Sequence, residues 1–236
     1  MSYLDFLSEF GVSSAHPGGI QGTKALLDQY DFSEGTKVLD AGCGIGSTAL
    51  FLAQWFDCSV VGIDQHPVMV AKAKRQLIEE RELDLTYICS SLYKIPAEDS
   101  TFDVIIIESV LSFLQAEKAL EEFYRVLKKD GVMLINEAIK REELSNEAEH
   151  QLVSFYGLTK LRTLKEWRRL FETKGFDVVK SLQIPKVFDE DIEHGIEFQL
   201  SENINPELFT YLDQHGPLQA KVKERMEEKI IVCKKV

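Results

Sequence analysis

Two short stretches of the chain most strongly constrain its fold. Residues 38–47 have the sequence VLDAGCGIGS, and residues 60–64 have the sequence VVGID. Each begins with an apolar run typical of a buried strand, and the first continues into a glycine-rich turn. Such a turn lets the backbone approach a ligand, and the N–H groups of a following helix favour an anionic group. The pair predicts a nucleoside-binding strand, turn and helix, with Asp64 accepting hydrogen bonds from ribose hydroxyls.

The spacing of the glycines narrows the choice of cofactor. Dinucleotide-binding folds prefer the pattern G-x-G-x-x-G. Here Gly42, Gly44 and Gly46 alternate, and Ser47 stands where that pattern has its last glycine. This spacing disfavours a pyrophosphate site.

Residues 40–46, DAGCGIG, resemble motif I of the class I S-adenosylmethionine-dependent methyltransferases, and Asp64 matches the ribose-binding acid of that family. The resemblance covers roughly residues 37–182 and is closest to the small-molecule branch that includes quinone-biosynthesis methyltransferases. It implies S-adenosylmethionine as cofactor and in-line transfer of its methyl group to a small-molecule acceptor. No catalytic residue is assigned.

The resemblance also implies a set of cofactor-binding residues. They lie in the turn after the first strand and at the ends of the second, third and fourth strands: Asp40, Gly42, Cys43, Gly44, Asp64, Gln65, Ser91, Leu92 and Glu108. The turn would present its backbone to the methionine half of the cofactor, with Asp40 orienting the ammonium. Glu108 could hold that ammonium, position the acceptor or act as a base, and the first role is favoured. A solvated acid at a strand end is the structural alternative for Glu108.

Two of these positions depart from the family pattern. Gln65 stands where the family often has an apolar residue against the adenine, and Ser91 stands where it commonly has an aspartate. The Ser91 hydroxyl can still accept one hydrogen bond from the adenine amino group, and the Leu92 N–H can donate to a ring nitrogen. A simple turn at residues 90–91 is the alternative.

The apolar runs along the chain predict an α/β fold. Five short strands, separated mostly by helical patterns, imply a parallel doubly wound sheet: 37–40, 59–63, 85–89, 102–107 and 132–136. Residues 176–182 and 229–235 are predicted as a sixth and a seventh strand. In the family these form an antiparallel hairpin, which implies a seven-stranded, mostly parallel sheet of order 3-2-1-4-5-7-6 with helical lid insertions.

We expect one methyltransferase domain over residues 1–236. Residues 1–29 are predicted as an N-terminal cap, and residues 140–160 and 185–228 as lid segments. Helical character is expected at 47–55 and 67–82 in the core, and near 206–214 and 218–227 in the last lid segment. His16 and Tyr156 are placed to face a substrate, although a structural role for each is the commoner outcome.

Composition disfavours several partners. The chain has 39 acidic and 27 basic residues and a net charge of −12, which disfavours nucleic acid as a substrate. Its four cysteines lack metal-binding spacing and predict reduced thiols in a cytoplasmic protein without a metal site. No run approaches the roughly 18 apolar residues of a membrane span. The acceptor and the oligomeric state are not indicated.

The sequence alone is compatible with two other functions. A regulator could bind the adenosyl ligand without catalysis, and the substitutions at Gln65 and Ser91 lend this some weight. An NAD(P)-dependent oxidoreductase is a less favoured alternative, because the glycine spacing and the expected terminal hairpin both oppose it.

Overall fold

The computed structural model describes residues 1–77, 83–184 and 198–236. Seven strands form one sheet: β1 Lys37–Ala41, β2 Ser59–Asp64, β3 Leu85–Cys89, β4 Phe102–Glu108, β5 Leu127–Lys140, β6 Phe176–Gln183 and β7 Met226–Lys235. The strand order is β3-β2-β1-β4-β5-β7-β6. Strands β1 to β5 pair in parallel, and β7 is antiparallel to both β5 and β6. The predicted fold class, strand order and terminal hairpin are confirmed.

Eight helices are described: α1 Tyr3–Phe10, α2 Gly19–Leu27, α3 Ser47–Phe56, α4 Pro67–Gln76, α5 Ala116–Val126, α6 Asn146–Tyr156, α7 Leu164–Thr173 and α8 Phe209–Val222. Local chemistry explains several of their starts. A capping box joins Ser2 to Asp5 at α1, another joins Thr163 to Glu166 at α7, and α4 begins with Pro67.

Side chains point alternately to the two faces of the sheet along each strand, and both faces are buried. In β1, Val38 packs with α2, α3 and α4 on one face, whereas Leu39 packs with α5 and α7 on the other. Trp167 and Phe171 of α7 are fully buried on the second face. The central strands therefore form a rigid layer whose ends can position side chains.

A third apolar cluster joins the helices that lie outside the two core layers. Tyr3 and Phe6 of α1 pack with Leu152 and Tyr156 of α6 and with Val222 of α8. The N-terminal segment and the segments after β5 and before β7 thus share one hydrophobic core.

One lysine links the third apolar cluster to the helices that pack on the sheet. Lys72 of α4 is only 5% exposed, and its Nζ donates to Ser8 O at 2.7 Å and Glu9 O at 2.9 Å at the end of α1. The same ammonium donates to Gln199 O at 2.5 Å. These bonds cap α1 and join it to a segment far along the chain.

Several element boundaries differ from the prediction. Strand β5 spans Leu127–Lys140 rather than 132–136, because it begins with the pairing of Leu127 to Phe102 of β4 and its ladder to β7 extends to the pair of Lys140 with Met226. The lid segments predicted at 140–160 and 185–228 therefore each share an end with a strand. Residues 185–197, and residues 78–82 of the helix predicted at 67–82, lie outside the described residues.

The two helices predicted near 206–214 and 218–227 are also wrong in their division. A single helix, α8, runs through Pro217, although proline lacks an N–H and usually interrupts a helix. Tyr211 and Leu218, on either side of the proline, both pack on the third cluster. This packing offsets the local cost of the proline.

Candidate active site

Four neighbouring strands carry an acid at or near their carboxyl ends. In order across the sheet these are Asp64 near β2's end, Asp40 in β1, Glu108 in β4 and Glu137 in β5. All four line one cavity of about 610 Å³. Because adjacent strands lie about 4.8 Å apart, the acids form a row along the edge where ligands of doubly wound sheets bind.

Asp64 organises the turn after β1. Its Oδ2 accepts the Gly44 N–H at 3.0 Å, and its Oδ1 accepts the His66 N–H at 2.7 Å. Burial raises the pKa of Asp64, and the two N–H groups partly oppose that rise. The carboxylate is therefore held at the turn and lines the cavity where a ribose is predicted.

Gly42 and Gly44 both have positive φ, at 82° and 55°, but they meet different surroundings. A Cβ on Gly42 would collide with the side chain of Val110, in the loop after β4. A Cβ on Gly44 would meet nothing within 4 Å. Gly42 is required for close packing of two loops, whereas Gly44 leaves open space beside its backbone.

Asp40 is buried, with 4% of its surface exposed. Its Oδ2 has no hydrogen-bond partner within residues 1–77, 83–184 and 198–236. Burial raises the pKa of Asp40, and the nearby carboxylates of Glu108 and Asp64 raise it further. A buried acceptor without a donor, on a cavity wall, is the environment that a ligand ammonium would complete.

Glu108 is held by hydroxyl groups from two helices. Thr23 Oγ1 of α2 donates to Glu108 Oε2, and Thr48 Oγ1 of α3 donates to Glu108 Oε1, both at 2.8 Å. His16 Nε2 lies 3.2 Å from Thr23 Oγ1 and 3.4 Å from Glu108 Oε2. Asn136 Nδ2 lies 3.3 Å from His16 Nδ1, so an Nε2-protonated His16 satisfies the whole chain of contacts. His16 thus lines the cavity and contacts Glu108.

Glu137 was not among the residues predicted for the site. It is 1% exposed, and its Oε2 accepts the Leu111 N–H at 3.1 Å, in the loop after β4. Burial raises its pKa to about 7, although the Ser112 side chain and nearby backbone N–H groups favour the charged form. The predicted fifth strand ended at Asn136, so the sequence did not show that the next residue faces the cavity.

Tyr156 of the third apolar cluster and two polar residues of α8 line the far end of the cavity. Tyr156 Oη lies 3.1 Å from His215 Nδ1 and accepts a hydrogen bond from Gln219 Nε2 at 2.9 Å. Tyr3 packs edge-on against Tyr156, with ring centroids 4.8 Å apart. Burial lowers the pKa of His215 and raises that of Tyr156, which favours the neutral form of both. Tyr156 lines the same cavity as Asp64.

The other predicted residues lie at different distances from this cavity. Cys43, Gln65 and Leu92 line it. Burial raises the pKa of the Cys43 thiol, so the thiol stays protonated. Ser91 is exposed, does not line the cavity, and accepts the Tyr93 N–H on its Oγ at 3.2 Å. The structure thus places Ser91 in a turn, and its contact with adenine stays a prediction.

Comparison with known proteins identifies the family. Residues 39–135 match the family model described as "Methyltransferase domain". The chain is also 34% identical over 234 residues to the uncharacterized methyltransferase YodH of Bacillus subtilis. That alignment covers 99% of each chain. The chain belongs to the class I S-adenosylmethionine-dependent methyltransferases. S-adenosylmethionine is its cofactor, and the comparisons support a methyltransferase rather than the oxidoreductase alternative.

Other relatives of this methyltransferase act on different molecules. It is 36% identical over 129 residues to phosphoethanolamine N-methyltransferase 3 of Arabidopsis thaliana, which covers 54% of this chain and 26% of that one. It is 28% identical over 173 residues to the sterol 24-C-methyltransferase ERG6 of Saccharomyces cerevisiae, over 70% of this chain and 45% of that one.

The solved structures show the same fold. A phosphoethanolamine N-methyltransferase 2 from Haemonchus contortus, in complex with S-adenosylmethionine, matches with a TM-score of 0.79 and 20% identity. The match covers 99% of this methyltransferase and 56% of the nematode chain, so this chain spans just over half of the nematode enzyme.

Two further features of the structure concern membranes and metal ions. Within the described residues, no helix has the length and apolarity needed to cross a membrane. In that same part of the chain, no group of three or more His, Cys, Asp or Glu side chains is arranged to hold a metal ion.

Proposed function

We propose that this methyltransferase binds S-adenosylmethionine along the row of acids and methylates a small molecule enclosed by a lid. The observation that carries the proposal is that one cavity joins Asp64, at the predicted ribose position, to Tyr156 of the third apolar cluster and to His215 beside it. A cofactor and an acceptor can therefore share one enclosed space. Cavities of roughly 300–1,000 Å³ are usual for small ligands.

The proposed cofactor residues divide by the part of the cofactor that each would hold. Asp64 would accept bonds from the ribose, and Asp40, whose Oδ2 has no partner in the described structure, would accept from the ammonium. The open backbone at Gly44 supports close approach of the methionine half. When bound, S-adenosylmethionine supplies a methyl group on a positively charged sulfur.

Glu108 would provide the second acceptor for that ammonium. Its two oxygens each accept one threonine hydroxyl, and a carboxylate can accept about four hydrogen bonds, so it can bind a further donor. The contacts from Thr23 and Thr48 oppose the solvated strand-end alternative, because they hold the side chain in one orientation.

We propose that α1, α6 and α8 are the lid. They enclose the acceptor end, and Lys72 ties α1 to the core. Their task is to exclude water and to align the acceptor with the methyl group, an effect worth about 7 kcal/mol or more for well-oriented reactants. Binding of S-adenosylhomocysteine should slow hydrogen exchange in α1, and unchanged exchange would contradict this role.

The charge of the cavity indicates the class of acceptor. Six acids line it, Asp40, Asp64, Glu108, Glu137, Glu227 and Glu228, and no lysine or arginine does so among the described residues. Anionic acceptors would meet repulsion without a matching cation. We therefore propose an uncharged or cationic small molecule, which differs from the phosphorylated amine named for some relatives, and not a nucleic acid.

A screen with methyl-labelled S-adenosylmethionine tests the proposed function. Ethanolamine is the cationic probe, catechol the uncharged probe and phosphoethanolamine the anionic probe. Each probe is incubated with the unchanged protein and, as a control, with the Asp64→Ala variant. We expect label in ethanolamine or catechol and none in phosphoethanolamine. Preferential labelling of phosphoethanolamine would overturn the charge argument. Failure of the protein to bind S-adenosylmethionine would overturn the proposed site.

We also infer that the protein acts in the cytoplasm. The four cysteines, Cys43, Cys58, Cys89 and Cys233, are all free in the structure. Reducing compartments keep thiols in this state. Fractionation of the native cells should place the protein in the cytoplasmic fraction, and recovery outside it would contradict the inference.

A further inference from the structure

We propose that Glu137 is a catalytic residue that faces the acceptor and takes the proton that the acceptor releases. This inference rests on the proposed function and adds a role for a side chain that the predicted cofactor set does not include.

The position of Glu137 follows from the order of the strands. The sulfur of S-adenosylmethionine joins the ribose to the methionine chain, so the proposed ribose acid on β2 and the proposed ammonium ligands on β1 and β4 would hold the sulfonium between them. Glu137 is the cavity-lining acid of β5, next in that row. It lies outside the proposed cofactor residues and bonds to the loop whose Phe113 packs on the third apolar cluster.

Side-chain direction separates Glu137 from Glu108. Asn136 is the register partner of Glu108 on β5, and it contacts the same histidine, His16, that approaches Glu108. Glu137, one residue later, points to the opposite face of the sheet, where its Oε2 bonds to Leu111 N. The two acids therefore approach the cavity from opposite faces of the sheet.

The loop at Leu111–Phe113 holds the carboxyl in place. The bond from the Leu111 N–H restrains one oxygen, and the carboxylate retains capacity for a further donor. Val110 and Phe113 of the same loop line the cavity. An acceptor nucleophile that enters between this loop and the lid would thus meet an oriented carboxylate.

Several charged and titratable groups lie around Glu137, and the ones nearest to it on β7 and on the lid already have partners: Glu227 pairs with Arg141, and His215 Nδ1 lies 3.1 Å from Tyr156 Oη. Its register partner on β7, Lys229, pairs with Glu227 at 2.9 Å. On the lid side, burial favours the neutral forms of Tyr156 and His215. With its own pKa near 7, Glu137 exists at neutral pH as a mixture of both protonation states.

The proposed step transfers one methyl group to the acceptor and one proton to Glu137. An acceptor that carries an N–H or O–H group forms the new bond to the methyl carbon while the carbon–sulfur bond breaks, and the electron pair of that bond remains on sulfur. The proton of the N–H or O–H group passes to a Glu137 carboxylate oxygen. The carboxyl then releases this proton to solvent when the products leave.

Calorimetric measurement of proton release tests the position of Glu137 without knowledge of the acceptor. S-adenosylmethionine and S-adenosylhomocysteine are titrated into the protein at pH 7 in buffers of different ionisation enthalpy. The two ligands share the ribose and ammonium, so proton changes caused by those groups cancel in the difference, and comparison with Glu137→Gln assigns what remains. They differ in the sulfonium charge, which should drive a nearby carboxyl to ionise.

We expect S-adenosylmethionine to release about half a proton more than S-adenosylhomocysteine, because a group with a pKa of about 7 is half-protonated at pH 7. Glu137→Gln should abolish this difference with S-adenosylhomocysteine affinity within about twofold. Glu137→Asp should retain it, as should the control Glu143→Gln on an exposed residue.

The outcomes distinguish the proposed role of Glu137 from the proposed cofactor site. Equal proton release by both ligands in the unchanged protein, or a difference that persists in Glu137→Gln, would overturn the role of Glu137 while leaving the cofactor site intact. Absence of binding by either ligand would instead contradict the proposed cofactor site. If Glu137→Gln does not fold, equal proton release by the two ligands in the unchanged protein still overturns the role of Glu137, and Glu137→Asp tests a positive result through a shift in the amount released.

Discussion

Asp64 Oδ2 accepts the backbone N–H of Gly44 at 3.0 Å, so the acid that ends β2 holds the turn that follows β1. The two parts of the motif are thus one hydrogen-bonded unit before any ligand binds. This preorganisation reduces the ordering cost of binding. It also means that changes at Asp64 act on the turn as well as on the proposed ribose contact.

Replacement of Asp64 by alanine should weaken S-adenosylhomocysteine binding by at least about 1.5 kcal/mol, or more than tenfold, because charge-assisted bonds to the ribose are lost. The measurement is calorimetric titration. Asp31→Ala, at an exposed acid, serves as control. Binding within twofold of the unchanged protein would contradict the assignment of Asp64.

Alanine at Gly42 and at Gly44 should have different consequences. Gly42→Ala forces a Cβ against Val110 at a positive φ and should lower the free energy of unfolding by about 2–4 kcal/mol. Gly44→Ala carries backbone strain alone and should cost about 1–2 kcal/mol. Urea unfolding of the two variants measures both, and equal losses would contradict the packing account of Gly42.

Removal of the Lys72 ammonium should loosen the lid. Lys72→Met keeps an apolar stem but leaves three carbonyl groups without their charged donor, which should cost about 2–3 kcal/mol. Hydrogen exchange in α1 should accelerate more than exchange in β1 or β4. Lys74→Met, at an exposed position on the same helix, is the control and should change neither.

The stability of the protein should depend on pH through Glu137. Its pKa is raised to about 7 by burial, so between about pH 4.5 and pH 7 the folded chain binds this proton more tightly than the unfolded chain. The free energy of unfolding therefore falls as pH rises through this window, by an amount on the order of 3 kcal/mol. Glu137→Gln removes this loss, so its stability relative to the unchanged protein should grow from pH 4.5 to pH 7.

Thermal unfolding of both proteins across that pH range provides the measurement. Asp40 and Asp64 also have raised pKa values, but they are present in both proteins and their contributions cancel. A constant difference between the two melting temperatures from pH 4.5 to pH 7 would show that the Glu137 carboxyl does not titrate in this window.

Local signals were sufficient to predict the nucleotide half of the fold. The glycines at 42, 44 and 46, the acid at Asp64 and the apolar alternation of the strands all act over short stretches of chain. The strand order came from the resemblance to a known family. The sheet order is confirmed, whereas Asp40, Asp64 and Glu108 share one cavity and their contact with the cofactor stays a prediction.

Long-range pairing decided the features that the sequence did not indicate. Strand β5 is extended by its ladder with β7, and this extension places Glu137 on the cavity wall. The contact of Tyr156 with His215 joins residues 59 positions apart, and the helix through Pro217 depends on packing with α1 and α6. No periodicity within one segment contains this information.

Parallel calorimetric titrations with S-adenosylmethionine, S-adenosylhomocysteine and NADH test the central claim most directly. The account predicts saturable one-to-one binding of both adenosyl ligands, loss of at least tenfold in affinity for both in Asp64→Ala, and no binding of NADH. Binding of NADH alone, or adenosyl binding that is indifferent to Asp64, would contradict the site described along β2, β1, β4 and β5.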